Sequence, residues 1–92
     1  MLKITKKGDK AWVTFSMMPT SEEKVFLSGE WNDWKEEEMK SKKNGEFYLR
    51  KFLKCDNEYQ FGYKTENAFW ICDNETPTID SPFGTKNSVL KI

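Results

Sequence analysis

The chain has 92 residues, the size of one small domain, and is too short for a second independent core. Its 15 Lys and Arg residues balance 15 Asp and Glu residues, and neither half of the chain is basic. The sequence therefore predicts no partner bound through net charge, neither a nucleic acid nor an anionic membrane. The chain contains no His, which excludes catalysis by a His-containing triad or dyad.

No apolar run reaches the length of a signal peptide core or a membrane-spanning helix. We therefore expect a cytoplasmic protein that does not insert into a membrane. The two cysteines, Cys55 and Cys72, are fewer than a small disulfide-stapled secreted domain carries. We expect two reduced thiols rather than a disulfide. The sequence predicts no metal site, since a structural zinc needs four ligands, and no cofactor.

Strand patterns recur along the chain, separated by turn-forming residues. Alternating apolar positions or short apolar runs occupy residues 13–17, 25–28, 47–53, 59–64, 69–72 and 88–92. Asn44-Gly45, Asp56-Asn57 and a loop over residues 77–84 are among the turns. This spacing predicts an all-β protein, one antiparallel β-sandwich of about seven short strands. The charged stretch 35–43 has no apolar stripe, and we expect a solvated connection with at most one helical turn.

Aromatic residues make up 15% of the chain, and several of them fall in predicted turns and loops. One interpretation is that these rings cover the ends of a thin core. The alternative is a platform for a ligand with apolar faces and polar edges, a description that a pyranose ring meets. Unstacked nucleic-acid bases also stack on aromatic rings, but a single-strand groove adds a track of cations. Because the cations here are interspersed with acids along the sequence, a sugar is the favoured ligand.

Two of these rings lie close together in the sequence but need not share an environment. Trp31 and Trp34 follow the strand at residues 25–28, three residues apart across an Asn-Asp turn. We expect Trp31 to be mostly buried beneath the sandwich and Trp34 to lie on the surface of the turn.

Four segments of the chain resemble the motifs of family 48 carbohydrate-binding modules. Residues 25–34, Val-Phe-Leu-Ser-Gly-Glu-Trp-Asn-Asp-Trp, resemble the family's Val-x-Leu-x-Gly-x-Phe-Asn-x-Trp. Residues 44–47 resemble the entry to its next strand, and residues 59–63 the strand that leads to its second Trp, with Asp73 three residues beyond. Residues 82–89 resemble its closing Phe/Leu-Gly-x-x-Asn-Ser-Val signature. The resemblance covers residues 10–92 of a single domain, 1–92.

This family includes the glycogen-binding domains of AMP-activated protein kinase β subunits and the early-set domains of branching and debranching enzymes. It also includes small stand-alone bacterial proteins, to which this chain is most similar. The resemblance implies an immunoglobulin-like, early-set sandwich. It implies a set of carbohydrate-binding residues: two stacking tryptophans, a loop hydrophobe that wedges into a curved α-1,4-glucan, and hydrogen-bonding groups. At the corresponding positions this chain has Trp34 and Trp70, Phe83, and Gln60, Thr85 and Asn87.

One of these positions departs from the family pattern. Gln60 stands where the kinase-type domains have a Lys; its amide still donates and accepts hydrogen bonds, but the charge is lost. Lys64, further along the same face of the strand, is an alternative source of that charge.

The resemblance implies a non-catalytic, monomeric module that binds α-1,4-linked glucans such as glycogen, starch or maltodextrin. The alternative is an early-set module without sugar affinity that interacts with a glycogen-metabolising enzyme supplied in trans. An independent enzyme is disfavoured, because glycoside hydrolysis needs two carboxylates about 5–10 Å apart, one with a raised pKa. The acidic residues 36–38 are expected to be solvated, and no phosphate loop or nucleophile elbow occurs in the sequence.

Overall fold

Two antiparallel β-sheets form the protein. The computed structural model describes residues 2–18, 24–67, 69–73, 75–82 and 84–92. The first sheet consists, from edge to edge, of β1 (Leu2–Lys7), β2 (Lys10–Met17), β6 (Phe47–Lys54) and β5 (Lys40–Ser41). The second consists of β4 (Glu37–Glu38), β3 (Val25–Gly29), β7 (Glu58–Thr65), β10 (Lys86–Lys91) and β9 (Thr78–Asp80), and β8 (Trp70–Ile71) also pairs with β7. The predicted all-β class and antiparallel pairing are confirmed.

The core lies between the sheets and follows the period-two alternation of the strands. In β2, buried side chains alternate with partly or fully exposed ones, and in β7 the buried Phe61 and Tyr63 point inward. Burial of these apolar side chains holds the two sheets together. The core residues are Ala11, Val13, Phe15, Val25, Leu27, Met39, Phe47, Leu53, Cys55, Phe61, Tyr63 and Leu90.

The stretch 35–43 differs from its prediction. Its side chains are mostly exposed, as expected, but it also contributes two short strands: β4 joins the second sheet, β5 joins the first, and Met39 lies between them. Met39 is buried, and its backbone N–H donates to the carbonyl of Val25 at 2.8 Å. The chain therefore crosses from one sheet to the other here, and Met39 is the apolar side chain that anchors the crossing. One apolar residue in a charged stretch is too little for the sequence to predict these strands.

Two further strands, β1 and β9, were not predicted from the sequence. Three of the six residues of β1 are Lys, and every residue of β1 after Leu2 is exposed, as is the whole of β9. Both lie at sheet edges, where natural proteins commonly have charged and exposed residues that disfavour pairing with another strand. An edge strand of this kind lacks the alternating burial that marks the central strands.

A buried polar pair links β7 to the segment after β8. The hydroxyl of Tyr63 donates to Oδ2 of Asp73 at 3.0 Å, and the backbone N–H of Asp73 donates to Oγ of Ser88 at 2.7 Å. Burial, and then the negative charge of Asp73, raise the pKa of Tyr63 far above its ordinary value. The phenol therefore remains a hydrogen-bond donor in the folded protein.

This pair predicts a stability change at alkaline pH. A folded-state pKa above the unfolded value means that the stabilisation is fully present below the unfolded pKa, about 10, and decreases as pH rises past it. We expect Tyr63 to contribute a loss of about 1.4 kcal/mol of unfolding free energy per pH unit above pH 10. Tyr63→Phe should remove this component and, at pH 8, cost about 1–3 kcal/mol because Asp73 loses a donor. Urea unfolding from pH 8 to 11 measures both; equal slopes in the two proteins would contradict the assignment.

Both cysteines are free thiols in the structure, Cys55 buried and Cys72 half-buried. We therefore expect the melting temperature to be the same with and without dithiothreitol. A fall in melting temperature on reduction, measured by circular dichroism, would show a stabilising disulfide instead.

Candidate functional site

A cleft of about 410 Å³ opens on the outer face of the second sheet. Five of the six predicted site residues line it: Trp34, Gln60, Trp70, Thr85 and Asn87. The sixth, Phe83, lies outside the described residues. The other described lining residues are Ser28, Glu30, Ser81 and Pro82. Residues from four separate parts of the chain thus converge on one concave surface.

Strand alternation explains why these side chains share a face. In β7, Phe61 and Tyr63 point into the core, so Gln60 and Gly62 point outward. Ser28 is paired with Gly62 in the neighbouring β3, which places it on the same outer face. The floor of the cleft is therefore the outward side of the strands whose inward side forms the core.

Trp70 lies across this floor at Gly62. A Cβ atom at Gly62 would overlap the indole ring, so the ring requires a glycine beneath it. The Trp70 Nε1–H donates to the carbonyl of Lys86 at 2.8 Å. The backbone contact and the hydrogen bond together fix the orientation of the indole, which is half-buried.

Trp34 is held by a turn of unusual backbone geometry. A single 3-10 turn, Glu30–Asn32, is followed by Asp33 at φ 59° and Trp34 at φ 64°. The Trp34 N–H donates to the carbonyl of Gly29, and Oγ of Ser28 donates to the carbonyl of Trp34, both at 2.9 Å. A bulky residue in the left-handed region costs about 1–3 kcal/mol. The conformational preference of the backbone therefore does not account for a Trp at this position. A contact made by the indole ring would account for it.

The two indoles form the walls of a concave surface. Their ring centroids are 6.1 Å apart and their planes meet at 53°. Trp34 is 37% exposed. Both rings are partly exposed and line the same cleft, and Trp34 lies at the surface of its turn, as expected.

Polar groups of both kinds surround the rings. Nδ2 of Asn87 donates to Oε1 of Gln60 at 3.0 Å, and the backbone N–H of Gln60 donates to Oε1 of Glu30 at 2.6 Å. Nε2 of Gln60, a donor, and Oδ1 of Asn87, an acceptor, have no partner among the described residues. The Ser81 and Thr85 hydroxyls lie 2.9 Å apart at the rim.

The cleft carries little charge. Among its described lining residues only Glu30 is ionisable. Lys64, the alternative source of a cation, does not line the cleft, because its Nζ pairs with Oε2 of Glu36 at 2.9 Å. The site therefore suits an uncharged ligand with hydroxyl groups better than a phosphate or a carboxylate.

The sequence assigns no role to the other four described lining residues, Ser28, Glu30, Ser81 and Pro82. Ser28 alternates with the buried Leu27, so its outward direction was readable from the strand pattern. Glu30 was not readable, because the chain leaves the strand at Gly29 and enters the 3-10 turn. Ser81 lies just beyond β9, a strand that the sequence did not reveal.

Trp31 belongs to the core rather than to the cleft. Its ring packs against Phe15 at 5.1 Å and Phe61 at 6.2 Å between centroids, and it covers Gly29. It is half-buried, less than the mostly buried ring that we expected, because it closes the open end of the core. Its Nε1 is buried and has no hydrogen-bond partner within the described ranges. Of the two interpretations of the loop aromatics, covering of the core applies to Trp31. A partly exposed platform describes Trp34 and Trp70.

Other parts of the described structure offer less to a ligand. A cleft of about 450 Å³ lies beside Met17, Tyr63 and Asp73, but Tyr63 and Asp73 are already bonded to each other there. In the acidic stretch, Glu36 pairs with Lys64 and Glu37 with Lys51. Within the ranges described, no group of His, Cys, Asp or Glu side chains is arranged to hold a metal, and no helix is long and apolar enough to cross a membrane.

No protein-family model matches the sequence, and no curated protein matches it at a significant level. The function is therefore inferred from the residues and geometry of the cleft.

The backbone of Trp34 generates a prediction about stability. Trp34→Ala and Trp34→Gly both remove the ring, but only glycine adopts the left-handed region without steric cost. We expect the Gly variant to be about 1 kcal/mol more stable than the Ala variant. Urea unfolding of the two variants measures the difference. Equal stabilities would show that the turn does not hold this residue at positive φ.

Gly62→Ala tests the packing of the Trp70 ring against the backbone of β7. The new methyl group should displace the indole and break its bond to the Lys86 carbonyl. The Trp70 Nε1–H resonance should then shift in a proton–nitrogen correlation spectrum, while those of Trp12 and Trp31 remain in place as internal controls. An unmoved Trp70 resonance would contradict the packing described here.

Proposed function

We propose that the protein is a non-catalytic module that binds α-1,4-linked glucans, such as glycogen, starch or maltodextrin, in this cleft. The observation that carries the proposal is the pair of tilted indoles, Trp34 and Trp70, above a rim of neutral hydrogen-bonding groups. Sugar rings stack on the two indoles, and their hydroxyls bond to Gln60 and Asn87.

The chemistry of the cleft supports a sugar over other flat ligands. A pyranose presents C–H groups on its faces and hydroxyls, each both donor and acceptor, at its edges. The free amide N–H of Gln60 and the free amide oxygen of Asn87 match hydroxyls in both roles. The carboxylate of Glu30 accepts from hydroxyls but repels phosphates.

The shape of the cleft supports an α-linked glucan over a flat β-linked one. Two platforms that meet at 53° contact successive faces of a chain that bends. An α-1,4-glucan curves along its length, whereas a cello-oligosaccharide is extended. A bent chain therefore reaches both indoles, and a straight one contacts them singly.

The resemblance to family 48 carbohydrate-binding modules adds independent support. Five positions taken from that resemblance line a single cleft, although they are up to 53 residues apart in the chain, from Trp34 to Asn87. An immunoglobulin-like early-set topology and a cytoplasmic, monomeric state are parts of the same proposal. The wedge role of Phe83 stays a prediction.

The expected affinity is modest. Two stacking contacts contribute about 1–1.5 kcal/mol each, and two or three neutral hydrogen bonds about 0.5–1.5 kcal/mol each. After the cost of ordering an oligosaccharide, a net of about 4–6 kcal/mol corresponds to a Kd between roughly 1 mM and tens of micromolar.

Substitution of the two indoles tests the proposal directly. We expect Trp34→Ala and Trp70→Ala each to abolish heat of binding to β-cyclodextrin in isothermal titration while the fold is retained. Trp12→Ala is a matched control, because Trp12 is also 37% exposed but lies on the first sheet. Retained binding in either cleft variant, or its loss in the control, would refute the assignment of the site.

Ligand selectivity and salt dependence test the chemistry. Maltoheptaose and β-cyclodextrin should bind more tightly than maltotriose, and cello-oligosaccharides should not bind. Because the ligand carries no charge, affinity should change less than about twofold up to molar salt. Equal affinity for cello-oligosaccharides, or no heat with any α-glucan at millimolar concentration, would favour an early-set interaction module that acts with an enzyme in trans.

A further inference from the structure

Cations are concentrated on the outer face of the first sheet, although cations and acids are mixed along the sequence. Side chains at alternate positions of β1, β2, β6 and β5 point away from the core. Every charged residue at these outward positions is a cation: Lys3, Lys7, Lys10, Lys40, Arg50 and Lys54. The protein therefore has a basic face although the net charge of the chain is zero.

None of these six cations forms an ion pair with a described residue. Four other lysines, by contrast, each pair with a glutamate: Lys42, Lys51, Lys64 and Lys91. The positive charge of this face is thus not neutralised by ion pairs among the described residues, which favours an anionic partner.

Aromatic rings lie in the middle of the cationic face. Trp12 and Phe52 are cross-strand partners with ring centroids 4.7 Å apart, and they are 37% and 43% exposed. The Arg50 guanidinium lies 4.5 Å from the Trp12 ring, and Nζ of Lys10 lies 5.3 Å from the Phe52 ring. The rings are therefore flanked on both sides by cations.

A shallow hollow of about 290 Å³ adjoins these rings, lined by Lys3, Thr5, Trp12, Thr14 and Arg50. Lys3, Thr14 and Arg50 form one row across three strands, so the backbones of the two cations stand about 10 Å apart. Cations and hydroxyl donors beside an indole provide the contacts that a phosphate and its neighbouring base require.

We propose that the outer face of the first sheet binds single-stranded nucleic acid, with phosphates on the cations and bases on Trp12 and Phe52. The proposal does not depend on the glucan cleft, which lies on the outer face of the other sheet. It is opposed to the expectation from the sequence that no nucleic acid binds, an expectation that rested on cations and acids being mixed along the chain. Exposed rings flanked by cations match the alternation of bases and phosphates along a single strand, which distinguishes this partner from an acidic protein surface.

The test is fluorescence anisotropy of a labelled oligothymidylate of about twelve nucleotides, titrated with the full chain. We expect binding that weakens about tenfold or more between 50 and 200 mM salt, as for three or more phosphate contacts. The triple variant Lys3→Gln, Lys10→Gln, Lys54→Gln should lose at least tenfold in affinity. The control triple Lys24→Gln, Lys35→Gln, Lys91→Gln makes the same change in net charge off this face and should lose less than twofold. Equal losses in the two triples would overturn the proposal.

The rings are tested separately from the charges. Trp12→Leu should weaken oligothymidylate binding about tenfold, the effect of one lost base stack, in a protein whose circular dichroism and cooperative melting are retained. An unchanged affinity would overturn the proposal. So would binding to polyglutamate or to phosphatidylserine-containing vesicles that is as tight as binding to the oligonucleotide.

The double variant Trp34→Ala, Trp70→Ala separates this face from the cleft. It should keep its oligonucleotide affinity whether or not the wild type binds glucans. A loss of oligonucleotide affinity would place the nucleic acid in the cleft and overturn the assignment to this face.

Discussion

The alternation of β7 is the constraint on which both the core and the candidate site depend. Phe61 and Tyr63 point inward and are among the largest fully buried side chains. Gln60 and Gly62, their neighbours in the chain, point outward: Gln60 lines the cleft, and Gly62 lies beneath the Trp70 ring. A shift of one residue in this strand would move the core residues into solvent and the site residues into the core. The hydrophobic core thus fixes the position of groups that contribute nothing to it.

The strands that could be predicted from the sequence are those with one buried and one exposed face. Val13 and Phe15, or Phe61 and Tyr63, alternate with polar or small residues, and this pattern is enough to locate a central strand. β1 and β9 lie at edges and bury little, so no such pattern marks them. The crossing at Met39 depends on one apolar residue in a charged stretch. A single residue forms no alternating pattern from which a strand could be predicted.

The site was predictable to the extent that motifs specify it. Trp34, Trp70 and Asn87 were chosen by resemblance, and their convergence depends on strand pairings that no local pattern reveals. The cationic face illustrates the opposite case. Lys10, Arg50 and Lys54 are ordinary surface residues in the sequence, and only the pairing of β2 with β6 brings them together. Charge patterning along a chain is a poor guide to charge patterning in space when the structure is a sheet.

The cleft is assembled from segments that are distant in the chain: the end of β3 and the turn after it, the middle of β7, β8, and the beginning of β10. No hairpin or fragment contains more than part of it, and the carbonyl that orients Trp70 comes from Lys86, almost at the end of the chain. A ligand in this cleft consequently recognises only the completed fold and has no affinity for partly folded forms. By mass action, a ligand present at 100 times its Kd would stabilise the whole domain by about 2.7 kcal/mol. Most contacts of this chain are between residues far apart in the sequence. A ligand bound in the cleft would therefore stabilise the association of β3 with β10, which lie at opposite ends of the chain segment that forms the second sheet.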